Sequence, residues 1–528
     1  MRVIVQADEA EAAARAVEAV GGRVTHRLAI IRAVGAQVTP GQLTALGQRR
    51  EVRRIWPDAE VEVAGAGIDT EYPRLVGADL LHQSGIDGRG VTVALVDTGM
   101  AKHENLSLGL TEGPRVLAQY DAIIDRTFRW QDTGFGDANG HGTHVASVLV
   151  SRGRLNTLGF HSYNGIAPNA RLVVARAFEG DGSGTYSNVI RALDWVVRDR
   201  HLYGTRIVNL SFSAPPRSRY WDDPLGQAVM AAWKAGLVVV TAAGNRGPEP
   251  LTVGVPGNVP YVVTVGAMTD NYTPDDPHDD SLASFSSAGP TLERFVKPEV
   301  VAPGGHMLGL MSPTSHLAEG HPEFYAGTTS YYRMSGTSQS AAVVSGIAAL
   351  ILQVDPSSSP DDVKCRLMAA ARPAVDSTGD LAYSVFQQGA GLVNAVAAVF
   401  STASGCANVG LDVAADLAGT EHFRGRAERS ADGTYFLRDP LADESGHATP
   451  TISDGYTWEG DYSRTTAYLW SEAYLWTEAY LWSEAYLWTE PSESDEDLLW
   501  DEASLSTDAY LWSEGLETPI EISVAPEE

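Results

Sequence analysis

Ser338 stands in the run Met334-Ser335-Gly336-Thr337-Ser338-Gln339-Ser340, which passes without a break into the mostly apolar stretch from Ala341 to Leu352. A hydroxyl in the first turn of a helix can act as a nucleophile. The orphan N–H groups of that turn, and the positive end of the helix dipole, stabilise the oxyanion formed when it attacks a carbonyl. Read alone, such a serine is more often an ordinary helix cap. Two further stretches change the reading. Asp97 ends the run Val91-Thr92-Val93-Ala94-Leu95-Val96, and His141 lies between glycines in Asn139-Gly140-His141-Gly142-Thr143-His144. An aspartate, a histidine and a serine are the parts of a proton-relayed acyl transfer.

The elements that must carry these residues are legible as patterns. Val91 to Val96 is a continuous β-branched run, as in a parallel strand buried on both faces, and its carboxyl end is where open α/β sheets place their sites. The serine opens a helix apolar all round, which predicts burial on every side. From Gly88 strands and helices alternate. Strands are predicted at 171–177, 207–211, 238–245 and 261–265, with helices at 187–197 and 225–235 between them, so a doubly wound parallel sheet is expected.

Val96-Asp97-Thr98-Gly99, His141-Gly142-Thr143-His144-Val145-Ala146 and Gly336-Thr337-Ser338, in that order, resemble the three signatures of the subtilisin-like serine proteases. The resemblance extends over about residues 66–400 and includes Val238-Val239-Val240-Thr241-Ala242-Ala243-Gly244-Asn245. It implies a serine endopeptidase with Ser338 as nucleophile, His141 as general base, Asp97 orienting the imidazole and Asn245 donating in the oxyanion hole. His144, three residues after His141, reads as a packed, satisfied histidine. Two further segments, Gly182-Ser183-Gly184 and Ser211-Phe212-Ser213, resemble the walls that pair with an extended peptide. Main-chain pairing tolerates many sequences, so the expected substrates are unfolded or looped proteins and peptides.

Three departures qualify the resemblance. Ala342 and Val343 replace the family's usual proline and histidine after the nucleophile. Ser213 and Ala214 stand where glycines are expected and should crowd the primary specificity pocket. The loop from Ser151 to Asn164 is unlike the family's calcium loop, and Asn105 stands where a calcium-binding aspartate is expected. No cofactor is therefore assigned, and calcium stays open without clear ligands.

The chain of 528 residues is too long for one core. Residues 1–65 read β-α-β-β-α-β, a small ferredoxin-like α+β unit resembling the inhibitory prodomain that precedes such proteases. The resemblance implies that it folds the large sheet, inhibits it, and is cut off by the enzyme itself near Glu62 to Gly67. Residues 66–400 are the peptidase domain. Residues 401–465 are polar and aperiodic and are expected to be a linker or weakly ordered region. Residues 466–528 carry the repeat Ala-Tyr-Leu-Trp-Ser/Thr-Glu from Ala467, Ala473, Ala479 and Ala485, with another copy at Ala509. A six-residue period keeps each side chain on one face of an extended chain, so strands fit better than helix. From Thr465 onward there are sixteen acids and no Lys or Arg.

The formal charge of −29 argues against nucleic acid and anionic membranes as partners. No run of eighteen apolar residues suggests a membrane span. The opening Met1 to Glu9 is not a secretion signal, although the resemblance implies export. Cys365 and Cys406 are the only cysteines, and the sequence leaves open whether they are bonded. A second function class, a binding protein whose repeats carry the biology on a protease-like scaffold, is disfavoured by the four intact site residues. The ligand of the repeats is not assigned.

Overall fold

The computed structural model describes residues 1–28, 31–57, 71–107, 115–132, 134–153, 163–273, 276, 279–327, 330–375, 381–431 and 433–437, with 469–470, 486–487 and 519–521 of the tail. The chain divides into two units, Met1–Gly67 and Ile68–Glu528.

In the first unit, strands Arg2–Ala7, Arg23–Leu28, Ala33–Gln37 and Val52–Pro57 form one antiparallel sheet in the order second, third, first, fourth. Helix Ala10–Ala19 buries Ala13, Ala14, Ala16 and Val17 in a core with Val3, Val5, Val34 and Ala36. Helix Pro40–Gly47 begins at a capping box in which Thr39 and Gln42 satisfy each other's backbone donors. The strand expected at Val61–Val63 and the processing segment Glu62–Gly67 lie outside the described residues.

The second unit is built on a nine-stranded sheet. Its main path runs Ser281–Leu282, Val263–Thr269, Val238–Ala242, Thr205–Leu210, Thr92–Asp97, Arg171–Arg176, Val116–Asp121 and Arg126–Phe128, and Val300–Pro303 also pairs with Val263–Thr269. The inner pairs are parallel, whereas the two ends of the path pair antiparallel, so the sheet is mixed. Thr92–Asp97 is central and every residue in it is buried, as its unbroken apolar run requires.

Helix Thr337–Val354 packs against strands Thr205–Leu210, Val238–Ala242 and Val263–Thr269 and is buried at every position from Thr337 to Leu352. Among the described residues it is the one helix long and apolar enough to cross a membrane by length and composition, and it is the core helix of this unit. Ala342 and Val343 continue it unbroken.

The linker or weakly ordered region expected at 401–465 differs in its described part, since residues 401–431 and 433–437 are packed into the second unit. Cys406 is bonded to Cys365, with Cα atoms 5.2 Å apart. Asp416, on helix Val413–Leu417, accepts hydrogen bonds from Tyr220 (2.6 Å) and Tyr261 (3.0 Å), and Phe423 and Ala427 join the main core. The elements here are only two to five residues long, too short for any period to show. Of the tail, Leu469–Trp470 pairs with Ala374–Val375, Tyr486–Leu487 with Phe423–Arg424, and Pro519–Glu521 with Ser183–Thr185, all antiparallel. The rest of the repeat region lies outside the described residues.

Candidate active site

Asp97 is delivered by the central strand, and its side chain is fully buried. Its Oδ1 accepts from the Thr98 amide at 2.7 Å and pairs with His141 Nδ1 at 2.8 Å. A carboxylate only accepts, so Nδ1 carries the proton and Nε2 presents a lone pair. That Nε2 is buried and has no hydrogen-bond partner among the described residues.

His141 is the first residue of helix His141–Val150, and the glycines on either side make its position accessible. Gly140 adopts φ 106°, and a Cβ there would come within 2.6 Å of Ser315 Oγ. A Cβ on Gly142 would fall 2.2 Å from the Gly99 carbonyl oxygen, so only glycine lets this helix approach the Asp97 strand so closely.

Asp137 is a residue the sequence reading missed. Its Oδ1 accepts from the Gly140 amide (2.8 Å) and the Thr98 hydroxyl (2.8 Å), and its Oδ2 accepts from the amide and hydroxyl of Thr143 (2.8 and 2.6 Å). The Thr98 hydroxyl in turn accepts from the Gly142 amide at 2.8 Å. One buried carboxylate thus closes the first turn of the histidine helix and ties it to the residue after Asp97. An acid four residues before a helix-opening histidine was the available signal.

Ser338 is the second residue of its helix and nearly buried. Its hydroxyl donates to the Ser211 carbonyl at 3.0 Å, and the Ser211 hydroxyl donates to the Ser338 carbonyl at 2.8 Å. The serine and histidine helices pack together. They are bridged one turn deeper, where Gln339 Nε2 lies 3.3 Å from His144 Nδ1. His144 Nε2 donates toward the carbonyls of Met307 and Tyr332, each at 3.1 Å. Burial pulls its pKa down to about 4, so this imidazole is neutral and structural. The structure therefore joins Asp97 to His141 directly, while the Ser338 hydroxyl rests on Ser211 and makes no hydrogen bond to His141.

Asn245 follows strand Val238–Ala242 and is half-buried. Its Oδ1 accepts from the Thr337 amide (3.0 Å) and hydroxyl (2.9 Å), which turns Nδ2 the other way, toward Gly336 at the mouth of the serine helix.

The expected substrate walls divide into backbone and side-chain contributors. Phe212 is buried against Phe178, with ring centroids 5.1 Å apart, and the Ser211 side chain is buried, so both could meet a peptide only through their main chains. Ser213 is partly exposed. Its hydroxyl would lie 2.9 Å from a Cβ on Gly244, and its own Cβ 2.9 Å from one on Gly254, so the three residues surround one space. Gly182 leads into the short strand Ser183–Thr185, of which Ser183 and Gly184 are the first two residues. Asn139 Nδ2 donates to the Gly180 carbonyl at 3.3 Å and so ties this wall to the histidine helix.

At Asn105 the carbonyl accepts from the Arg152 amide (3.1 Å) and lies 3.5 Å from Arg115 Nη1. The buried Arg115 guanidinium also binds the carbonyls of Val150 and Pro168, and burial lowers its pKa to about 9. Among the described residues no group of three or more His, Cys, Asp or Glu side chains could hold a metal. Most of the loop in question, residues 154–162, lies outside them.

Residues 88–391 match the Peptidase_S8 model, the subtilase family, and the chain belongs to that family. It is a serine endopeptidase. It is 36% identical over 373 residues to the serine protease AprX of Bacillus subtilis, covering 69% of this chain and 78% of that protein. It is 32% identical over 327 residues to subtilisin DY of Bacillus licheniformis, covering 61% and 96%. Among solved structures, fervidolysin from Fervidobacterium pennivorans aligns with a TM-score of 0.47 at 22% identity, covering 76% of this chain and 61% of that one.

Proposed function

We propose that Ser338, His141 and Asp97 carry the peptidase reaction, with Asn245 as oxyanion donor. The observation behind this assignment is the buried Asp97–His141 pair, whose Nε2 has no partner among the described residues. As a substrate enters, the Ser338 hydroxyl rotates from the Ser211 carbonyl to His141. His141 Nε2 takes its proton while Oγ bonds to the substrate carbonyl carbon. The carbonyl oxygen gains negative charge, which the Ser338 amide and Asn245 Nδ2 stabilise. The imidazolium, held by Asp97, then gives its proton to the leaving amine and the peptide C–N bond breaks. Water enters with the same base and hydrolyses the acyl-enzyme.

Residues 1–65 act as an inhibitory prodomain that the enzyme removes itself. Their compact fold supports this, because a pre-formed sheet can template a parallel sheet that folds slowly on its own. The Cys365–Cys406 bond supports work in an oxidising compartment outside the cytoplasm.

The test is Ser338→Ala purified free of other proteases. It should fold, stay full length, fail to react with a serine-directed fluorophosphonate and leave casein intact. Normal maturation of that variant would remove the self-processing claim, and residual fluorophosphonate labelling would remove the nucleophile assignment.

A further inference from the structure

The strand Ser183–Thr185 carries a partner from far away in sequence. Pro519–Glu521 pairs with it antiparallel, with Pro519 opposite Thr185, Ile520 opposite Gly184 and Glu521 opposite Ser183. Main-chain groups of successive residues in a strand point to opposite edges. The Ser183 carbonyl is taken by the Glu179 amide at 2.8 Å, which leaves Gly184 to present its own groups on the other edge, where Ile520 is its register partner.

The direction of the pairing is informative. Moving from Pro519 to Glu521 follows the wall from Thr185 toward Gly182 and Gly180, and Gly180 is the residue bound by Asn139, two positions before His141. The tail segment thus occupies this edge in an extended conformation with its carboxyl end toward the histidine helix. A peptide chain adding to the same edge would need the same main-chain groups.

We propose that Pro519–Glu521 is an intramolecular ligand of the substrate-pairing edge and that the C-terminal segment competes with substrate in cis. This rests on the assignment of Gly182–Gly184 as a substrate wall. A tethered segment meets its site at a local concentration in the millimolar range, so weak three-residue pairing suffices to hold the edge much of the time. A competitor raises KM by the reciprocal of the fraction of open sites and leaves kcat unchanged, because saturating substrate displaces it.

The experiment compares the mature full-length enzyme, its C-terminus confirmed by intact mass, with a chain ending at Thr518 and with Ile520→Pro, which removes one main-chain donor without altering length or charge. On a fluorogenic tetrapeptide, both changes should lower KM by about 3- to 10-fold at constant kcat. A synthetic peptide of residues 515–528 should restore the higher KM to the truncated enzyme, and the same peptide with proline for Ile520 should not. Equal KM values in all three enzymes would overturn the proposal while leaving the peptidase assignment intact. A truncated enzyme with raised KM or lowered kcat would also overturn it, since the segment would then support the site. Loss of both peptide hydrolysis and fluorophosphonate labelling in every form would count against the active-site assignment instead.

Discussion

In the proposed reaction the Ser338 hydroxyl exchanges the Ser211 carbonyl for His141, and the exchange costs little, since one ordinary hydrogen bond is worth about 1 kcal/mol net. Ser213 bears on which substrates gain from it. Its side chain fills space between Gly244 and Gly254 that a glycine would leave open. Cleavage after medium aliphatic residues should therefore exceed cleavage after Phe or Tyr, and Ser213→Gly should narrow that gap by roughly 10- to 200-fold. A peptide library profiled before and after the substitution checks this, and equal cleavage after Phe, Tyr and Leu in the unmodified enzyme would show that Ser213 does not line the pocket. His144 sets an acid limit. It is held neutral with a folded pKa of about 4, whereas the unfolded chain binds that proton near 6.5. The unfolded state thus holds more protons between those values, so stability falls as pH drops from about 6.5 to 4, by on the order of 3 kcal/mol. Urea titrations across this range should show the loss, and His144→Gln should flatten it.

The three residues proposed to react come from a strand end and two helix starts, which must be locked to one another. Asp137 does much of this by bonding Gly140 and Thr143 on the helix and Thr98 beside Asp97. Asp137→Ala should lower kcat more than it raises KM, and should cost about 1–2 kcal/mol of stability through the lost cap. Michaelis kinetics alongside thermal melts separate the two effects. A drop in stability with unchanged kcat would confine Asp137 to structure.

For the molecule as a whole, the segment after residue 400 closes the protease unit. Asp416 receives Tyr220 and Tyr261, and Asn408 reaches the buried Lys364, which shares Glu299 with Lys297. The Cys365–Cys406 bond closes a loop spanning 41 positions, for which chain entropy predicts a stabilisation of about 4 kcal/mol. Replacing both cysteines by serine should lower the denaturation midpoint accordingly and make 401–437 an early site of limited proteolysis. An unchanged midpoint would show that the polar anchors hold the segment without the bond.

The sequence by itself determined the family, the site residues as candidates and most of the central strands and helices. Each of these is written in contiguous residues: a β-branched run ending in Asp97, glycines around His141, an apolar helix opening at Ser338. The tertiary structure alone decided that Asp137 joins strand to helix, that the sheet closes with antiparallel strands, that Cys365 meets Cys406 and that Pro519–Glu521 lies along Ser183–Thr185. Contacts such as Asp416 with Tyr220, 196 residues apart, leave no local period. Elements of two or three residues owe their existence to the partner they pair with, so they form only where the rest of the fold has already brought that partner near.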